Sequence, residues 1–122
     1  MHIEELRAFC LSQKQVSESF PFDNQTLVFK VADKIFVLLA LNDWEKGQDR
    51  VNLKCDPELA QELREKYPQT VLPGYHMNKK HWNTLLIHTG DLSEKQIKDL
   101  ILHSYDMVVN KLPKSKRDDL KG

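Results

Sequence analysis

The chain has 122 residues, 40% of them hydrophobic and 30% charged, and its 18 Lys and Arg residues balance its 18 Asp and Glu residues. This length and composition predict one soluble domain over residues 1–122 that builds its core without disulfides or metal. The longest apolar run, residues 35–41, is far shorter than the ~20 residues of a membrane-spanning helix, and the acidic N-terminus resembles no secretory or transit signal. We therefore expect a cytoplasmic protein with no membrane partner.

The formal net charge of zero bears on possible partners. A dedicated nucleic-acid-binding domain usually has a basic excess, because Lys and Arg must displace counterions from phosphates. Here residues 1–60 have an acidic excess and residues 61–122 a basic one, so a modest basic face is expected. Cys10 and Cys55 are far apart in the sequence and are expected to be small buried hydrophobes without a disulfide.

Hydrophobic periodicity predicts the elements of the first half. Apolar residues at helical spacing indicate a helix over residues 3–11, and residues 17–24 are expected to form a packed loop in which Phe20 and Phe22 plug the sheet. A β-hairpin follows, with strands over residues 26–31 and 34–41; the second strand is expected to be central and buried on both faces. A polar loop over residues 42–49 then leads to a half-exposed strand over residues 50–55.

Capping signals mark the second half. Asp56, Pro57 and Glu58 predict a helix start, and that helix is expected to end at Pro68. Residues 71–88 predict a second hairpin with Asn78, Lys79 and Lys80 at its tip, and Pro73-Gly74 fits a type II turn. Ser93 and Gln96 form a capping box that begins a helix ending at Pro113, before a polar tail over residues 114–122. The order α-β-β-β-α-β-β-α predicts an α+β fold with helices on one side of a sheet.

Several motifs resemble the MmcQ/YjbR family of small bacterial proteins. They are SFPFD at residues 19–23, RVNLKCDPE at 50–58 and, most specifically, PGYHMNKKHWNT at 73–84. The resemblance extends over the whole chain and implies a frataxin (CyaY)-like fold, one antiparallel sheet with helices on one face. It also implies DNA binding, which members are commonly described as having by analogy between two projecting hairpins and the wings of winged DNA-binding domains.

The segment from His76 to Trp82 has the most varied chemistry in the chain. Its lysines suit phosphate contacts, its histidines donate hydrogen bonds, and Trp82 offers a stacking face for bases. We expect Lys79, Lys80 and Arg117 to neutralise phosphates while Trp82 or Tyr75 stacks. The candidate DNA-binding residues are His76, Asn78, Lys79, Lys80, His81, Trp82, Arg50, Lys54, Lys114 and Arg117. The structural alternative is that Trp82 and Tyr75 are aromatic residues of the core or of the sheet edge and that the two lysines belong to a solvated turn.

The sequence leaves a second function open, namely a protein- or small-ligand-interaction domain that uses His76, Asn78 and Trp82. That alternative predicts a concave pocket with convergent polar groups and mixed charge. No nucleophile motif is present, and Cys55 is more simply a packed thiol than a reactive one, so we expect no enzymatic activity. His76 and His81 alone give too few ligands for zinc, so no metal or cofactor is expected. The chain is expected to be a monomer.

Overall fold

The computed structural model describes residues 1–74 and 77–121, except for the side chain of Lys121. In these residues six strands form one sheet in the order β1-β2-β3-β4-β6-β5, and every neighbouring pair is antiparallel. The strands are β1 Val16–Ser19, β2 Thr26–Val31, β3 Lys34–Ala40, β4 Arg50–Lys54, β5 Val71–Pro73 and β6 Trp82–Leu86. The helices are α1 Ile3–Leu11, α2 Leu41–Glu45, α3 Pro57–Lys66, α4 Glu94–Val109 and α5 Lys114–Lys121. The predicted α+β class is confirmed.

Local chemistry explains why the main elements begin where they do. The Asp56 carboxylate accepts hydrogen bonds from the backbone N–H groups of Glu58 and Leu59, each 3.1 Å long, at the start of α3. Ser93 and Gln96 form the predicted capping box at the start of α4. Between β2 and β3, Ala32 and Asp33 have positive φ angles of 48° and 65°, the backbone of a tight hairpin turn that matches strand twist.

The core lies between α4 and the sheet face against which α4 packs. α4 lies over β3 and β4, and α1 and α3 lie beside the edge strands β1 and β5. The registers place Val37, Leu53 and Asn83 in line on this helix face, with Leu38, Asn52 and Thr84 in line on the opposite face. We call the opposite face the far face. β3 is central, as predicted. The prediction that β3 is buried on both faces is wrong in part, because Leu38 on the far face is only half-buried.

Three segments form more regular structure than the sequence predicted. Residues 16–19, assigned largely to a loop, form the edge strand β1; part of the predicted loop 42–49 forms α2; and the predicted polar tail forms α5. Leu120 in α5 is only 6% exposed and joins the core. A single buried leucine in a polar segment gives too little periodicity to predict a helix, and β1 depends on pairing with β2.

The predicted aromatic plug at residues 20–22 is wrong. Phe20 and Phe22 are 47% and 65% exposed, in the connection between β1 and β2. The turn that follows them is as expected, because the Asp23 carboxylate accepts hydrogen bonds from Gln25 N at 2.8 Å and Thr26 N at 2.7 Å. The two rings lie beside the β1 edge of the sheet, whereas the β5–β6 hairpin forms the other edge.

Ser104 of α4 joins two strands where their pairing ends. β3 and β4 are in register at Val37–Leu53 and Leu38–Asn52. One position further along, the Ser104 hydroxyl accepts a hydrogen bond from Lys54 N at 2.9 Å and donates one to Phe36 O at 2.5 Å. The helix therefore supplies the partners that the sheet does not, and it fixes the end of β4. No helix among the described residues is long and apolar enough to span a bilayer.

Candidate nucleic-acid interface

The turn between β5 and β6 is closed by its own backbone. The Asn78 carbonyl accepts hydrogen bonds from Trp82 N at 3.0 Å and His81 N at 3.1 Å. The Asn78 side-chain oxygen accepts a third from Lys80 N at 3.0 Å. Lys79 and Lys80 are exposed at the tip, as predicted, on a defined turn. Tyr75 and His76, which the sequence analysis also named, lie outside the described residues.

Arg64, which the sequence analysis did not identify, anchors this turn to α3. Its Nε donates to Asn83 Oδ1 at 2.8 Å, and a terminal nitrogen donates to Trp82 O at 3.2 Å and to Lys79 O. The guanidinium group thus holds both sides of the turn. The sequence showed only a basic residue in the last turn of a helix; the contact itself depends on how α3 and β6 lie in the fold.

Trp82 is half-buried at the start of β6 and is opposite Lys54 in the β4–β6 register. Both residues therefore belong to the far face, beside the turn. Trp82 is thus not a fully buried core residue, and its position next to a lysine suits stacking beside a phosphate contact. His81 is half-buried, its carbonyl accepts from Cys55 N at 2.8 Å, and its Nδ1 is buried with no hydrogen-bond partner among the described residues.

Gly74 allows the close approach between β5 and β6 at Trp82. Gly74 N donates to Trp82 O at 2.9 Å, and a Cβ atom at Gly74 would lie 2.8 Å from Trp82 Cβ. The predicted type II turn at Pro73-Gly74 is wrong, because Pro73 ends β5 and Gly74 is not among the residues with positive φ. The glycine is required by space rather than by backbone conformation.

Replacing Gly74 by Ala is expected to destabilise the fold by about 1–3 kcal/mol, because the added methyl group forces the hairpin apart at Trp82. The free energy of unfolding from urea titration measures this effect. Gln69→Ala, an exposed position before β5, is the control and should change stability by less than about 0.5 kcal/mol. Equal stability of the two variants would contradict the packing argument.

The antiparallel topology brings lysines from separate segments to one end of the sheet. The turn between β2 and β3, the end of β4 and the start of β6 all lie at this end. Burial lowers the pKa of Lys54 from its usual value, and the nearby charges of Lys111 and Lys34 lower it further. We call this region the lysine end; it comprises Lys34, Lys54, Lys79, Lys80 and Lys111.

The other predicted basic residues are placed less favourably. Arg50 begins β4 at the opposite end of the strand, where its Nε lies 3.2 Å from Asp43 Oδ2. Arg117 of α5 is half-buried, and its Nε is buried without a hydrogen-bond partner among the described residues. Lys114 is exposed at the start of α5, three residues after Lys111. The structure thus separates Arg50 from the turn and leaves Lys114 outside the lysine end, in the segment that follows Lys111.

Acidic residues lie toward the end of the sheet opposite the lysine end. Asp43 and Glu45 are in α2, directly after β3, and Asp49 directly precedes β4. Asp23 precedes β2, and its carboxylate caps the backbone there. The separation of charge along the strands is partial, because Asp33 and Asp56 lie at the lysine end and Arg50 lies at the opposite end.

Neither cysteine has the environment of a nucleophile. Burial raises the pKa of the Cys10 thiol to about 12 and that of Cys55 to about 11. Both are free and buried, as expected of packed thiols. Among the residues that the structure describes, no three His, Cys, Asp or Glu side chains are grouped to hold a metal ion.

Comparison with known proteins identifies the family of this chain. A sequence model of the YjbR family matches residues 11–107. The chain belongs to the YjbR family. Its relatives include the uncharacterised Escherichia coli K12 protein YjbR, 37% identical over 117 residues that cover 96% of this chain and 95% of that protein. The uncharacterised YbdF of Escherichia coli O157:H7 is 37% identical over 112 residues, 91% of this chain and 87% of that protein. The resemblance noted in the sequence is confirmed.

Two solved structures are similar in fold to this protein. The crystal structure of Deinococcus radiodurans protein DR2400, which contains the domain DUF419, matches with a TM-score of 0.88 and 37% identity, covering 98% of this chain and 88% of that one. A Pseudomonas syringae protein matches with a TM-score of 0.68 and 28% identity, covering 88% of this chain and 98% of that one. These matches agree with the α+β fold.

Proposed function

We propose that the protein binds DNA through the lysine end, with Trp82 as a stacking face, and that it catalyses no reaction. The observation that carries the proposal is the convergence of five lysines from four segments at the end of the sheet where Trp82 begins β6. The shared environment of Lys34, Lys54 and Lys111 and the register partnership of Lys54 with Trp82 support it. Phosphates bind such clusters by releasing counterions, largely without regard to sequence.

The five lysines of the lysine end outnumber the two carboxylates that flank them in sequence, Asp33 in the β2–β3 turn and Asp56 after β4. Within residues 1–74 and 77–121, no ion pair joins Lys34, Lys54, Lys79, Lys80 or Lys111 to an acidic side chain. Burial is the main cause of the lowered pKa of Lys54, and repulsion from Lys111 and Lys34 lowers this pKa further. A phosphate at this position would relieve that repulsion. Acidic groups at the other end would orient the protein as it approaches DNA.

The proposal that the protein is not an enzyme rests on the low reactivity of its two cysteine thiols. The raised pKa values of Cys10 and Cys55 keep both thiols protonated near neutral pH. We further propose that the protein is cytoplasmic, because two free, buried cysteines suit a reducing compartment. We also propose that it is a monomer. The alternative function needs a pocket of mixed charge that includes the turn residues, whereas a pocket of mixed charge on the far face is lined by Arg50 and Asp43 and by no residue of the turn.

Fluorescence anisotropy of a labelled duplex and a labelled single strand, titrated at several salt concentrations, tests DNA binding. Each phosphate neutralised should contribute about 0.9 to the slope of log K against log salt for the duplex and about 0.7 for the single strand. We expect a slope that corresponds to three or more contacts. Absence of binding to both DNAs at low salt would overturn the proposal.

A further inference from the structure

A cavity of about 380 Å³ lies on the far face, between the lysine end and the acidic end. Its volume is in the range of small-molecule sites in proteins. Its lining includes the apolar Leu38 and Ala40 of β3, the ion pair of Asp43 and Arg50, and the polar side chains of Asn52 and Thr84. The cavity therefore has an apolar surface with a charged, mixed-sign wall.

Part of this wall is already hydrogen-bonded and rigid. The Asn52 side-chain nitrogen donates to Leu38 O at 3.2 Å, and its oxygen accepts from Thr84 Oγ1 at 2.6 Å. These bonds tie β3, β4 and β6 together across the far face. They shape the cavity, and its remaining hydrogen-bonding capacity lies in the ion pair.

The ion pair has a donor that the protein does not use. Arg50 Nε is 3.2 Å from Asp43 Oδ2, yet it is buried and has no hydrogen-bond partner among the described residues. The N–H therefore makes an ionic contact without being directed at the carboxylate. A terminal nitrogen of Arg50 donates to Gln48 Oε1 at 3.4 Å. The Arg50 side chain is 36% exposed, so a ligand acceptor would meet its guanidinium group at a terminal nitrogen and not at the buried Nε.

The pair also defines the chemistry of its ligand. Arg50 offers a donor next to the Asp43 acceptor, which is the complement of a ring edge that has an adjacent acceptor and N–H donor. The two protein charges cancel, so a neutral ring suits the wall better than an ion. Leu38 and Ala40 provide an apolar surface for the face of that ring. Nucleobases combine a flat face with such an edge.

We propose that the cavity holds one unstacked base of a single-stranded nucleic acid whose phosphates lie at the lysine end. This inference rests on the proposed function and names the form of DNA that it prefers. Asn52 and Lys54 are on the same face of β4, about 7 Å apart along the strand, so one strand can reach both the cavity and the lysine end. Bases in a duplex are stacked and paired, and entering the cavity would require flipping.

The test compares oligothymidylate of about 12 nucleotides with an abasic strand that has the same number of phosphates. We expect the unmodified protein to bind oligothymidylate at least about tenfold more tightly than the abasic strand. Arg50→Lys keeps the positive charge but removes the planar guanidinium donors, and Ala40→Phe fills the cavity. Each variant should bind both strands with the affinity of the abasic one, with the salt dependence unchanged.

The control is Ser17→Phe, which adds the same ring at an exposed position of β1 and should keep the tenfold difference. Thermal melting shows whether each variant is folded. If Ala40→Phe does not fold, the binding measured with Arg50→Lys decides the test. Equal binding of the two strands by the unmodified protein would overturn this inference and leave the proposed function intact. Binding to no DNA would overturn both. Free thymidine bound in the cavity by a protein that binds no strand would also overturn the inference, in favour of a nucleoside site.

Discussion

Replacing Lys79 and Lys80 together by Glu is expected to weaken DNA binding at least about tenfold at low salt. Both side chains are exposed on a turn that is held by backbone groups and Arg64, so the change reverses charge without altering packing. Losing two phosphate contacts should also lower the slope of log K against log salt by about 1.8 for duplex DNA. The melting temperature should be unchanged, since neither side chain contributes to the core.

The matched control changes the net charge equally at the other end of the sheet. Lys46→Glu with Lys95→Glu alters two exposed lysines, of which Lys95 loses only a surface ion pair with Asp99. This variant should bind DNA with nearly the affinity of the unmodified protein. If the two double variants lose affinity equally, net charge rather than the lysine end governs binding, and the assignment of the site is wrong.

Replacing Ser104 by Ala is expected to lower the free energy of unfolding by about 2–4 kcal/mol. The change removes one hydroxyl that is fully buried and serves two backbone groups, Lys54 N and Phe36 O. Each group would then be buried without a partner, and each such loss costs about 1–3 kcal/mol. The midpoint of urea unfolding, measured with the slope of the transition, gives the value.

Ser115→Ala is the control for this substitution, because Ser115 is exposed in α5. We expect it to change the free energy of unfolding by less than about 0.5 kcal/mol. A Ser104→Ala protein as stable as the Ser115→Ala protein would show that β3 and β4 re-pair without the helix. The bridge also places Lys54, so the destabilised variant should bind DNA more weakly wherever it remains folded.

Features fixed by neighbouring residues were predictable from the sequence. The caps at Asp56 and Ser93 depend on side chains that bond to backbone two or three positions away, and both are present. The β2–β3 hairpin and the half-exposed β4 follow from alternation of apolar and polar residues. Two of the three family motifs lie in β4 with the start of α3 and in the β5–β6 hairpin, so the fold class was also accessible.

Features that depend on residues distant in the sequence were not predictable. β1 contains Ser17, Glu18 and Ser19, and forms a strand because β2 offers a free edge. Phe20 and Phe22 match a family motif, but their exposure could not be read from it. Arg64 contacts the turn across 15 to 19 residues of sequence. Such contacts follow from packing, which a single sequence does not state.

The candidate site was predicted in part for the same reason. The exposed lysines of the turn follow from their place in a hairpin, whereas the grouping of Lys34, Lys54 and Lys111 requires the order of the strands. Arg50 and Lys54 lie on the same face of one strand, and the sequence therefore predicted that they belong to one surface. The strand places them at its two ends, where Arg50 pairs with Asp43.

Mapping the DNA contact by backbone amide NMR during titration with a short duplex tests the central claim most directly. The account predicts that the largest shifts occur at residues 33–34, 54–55, 78–82 and 111–114, and that they diminish as salt is added. Shifts confined to α1 and α2, at the acidic end, or no shifts at low salt, would contradict DNA binding by the lysine end.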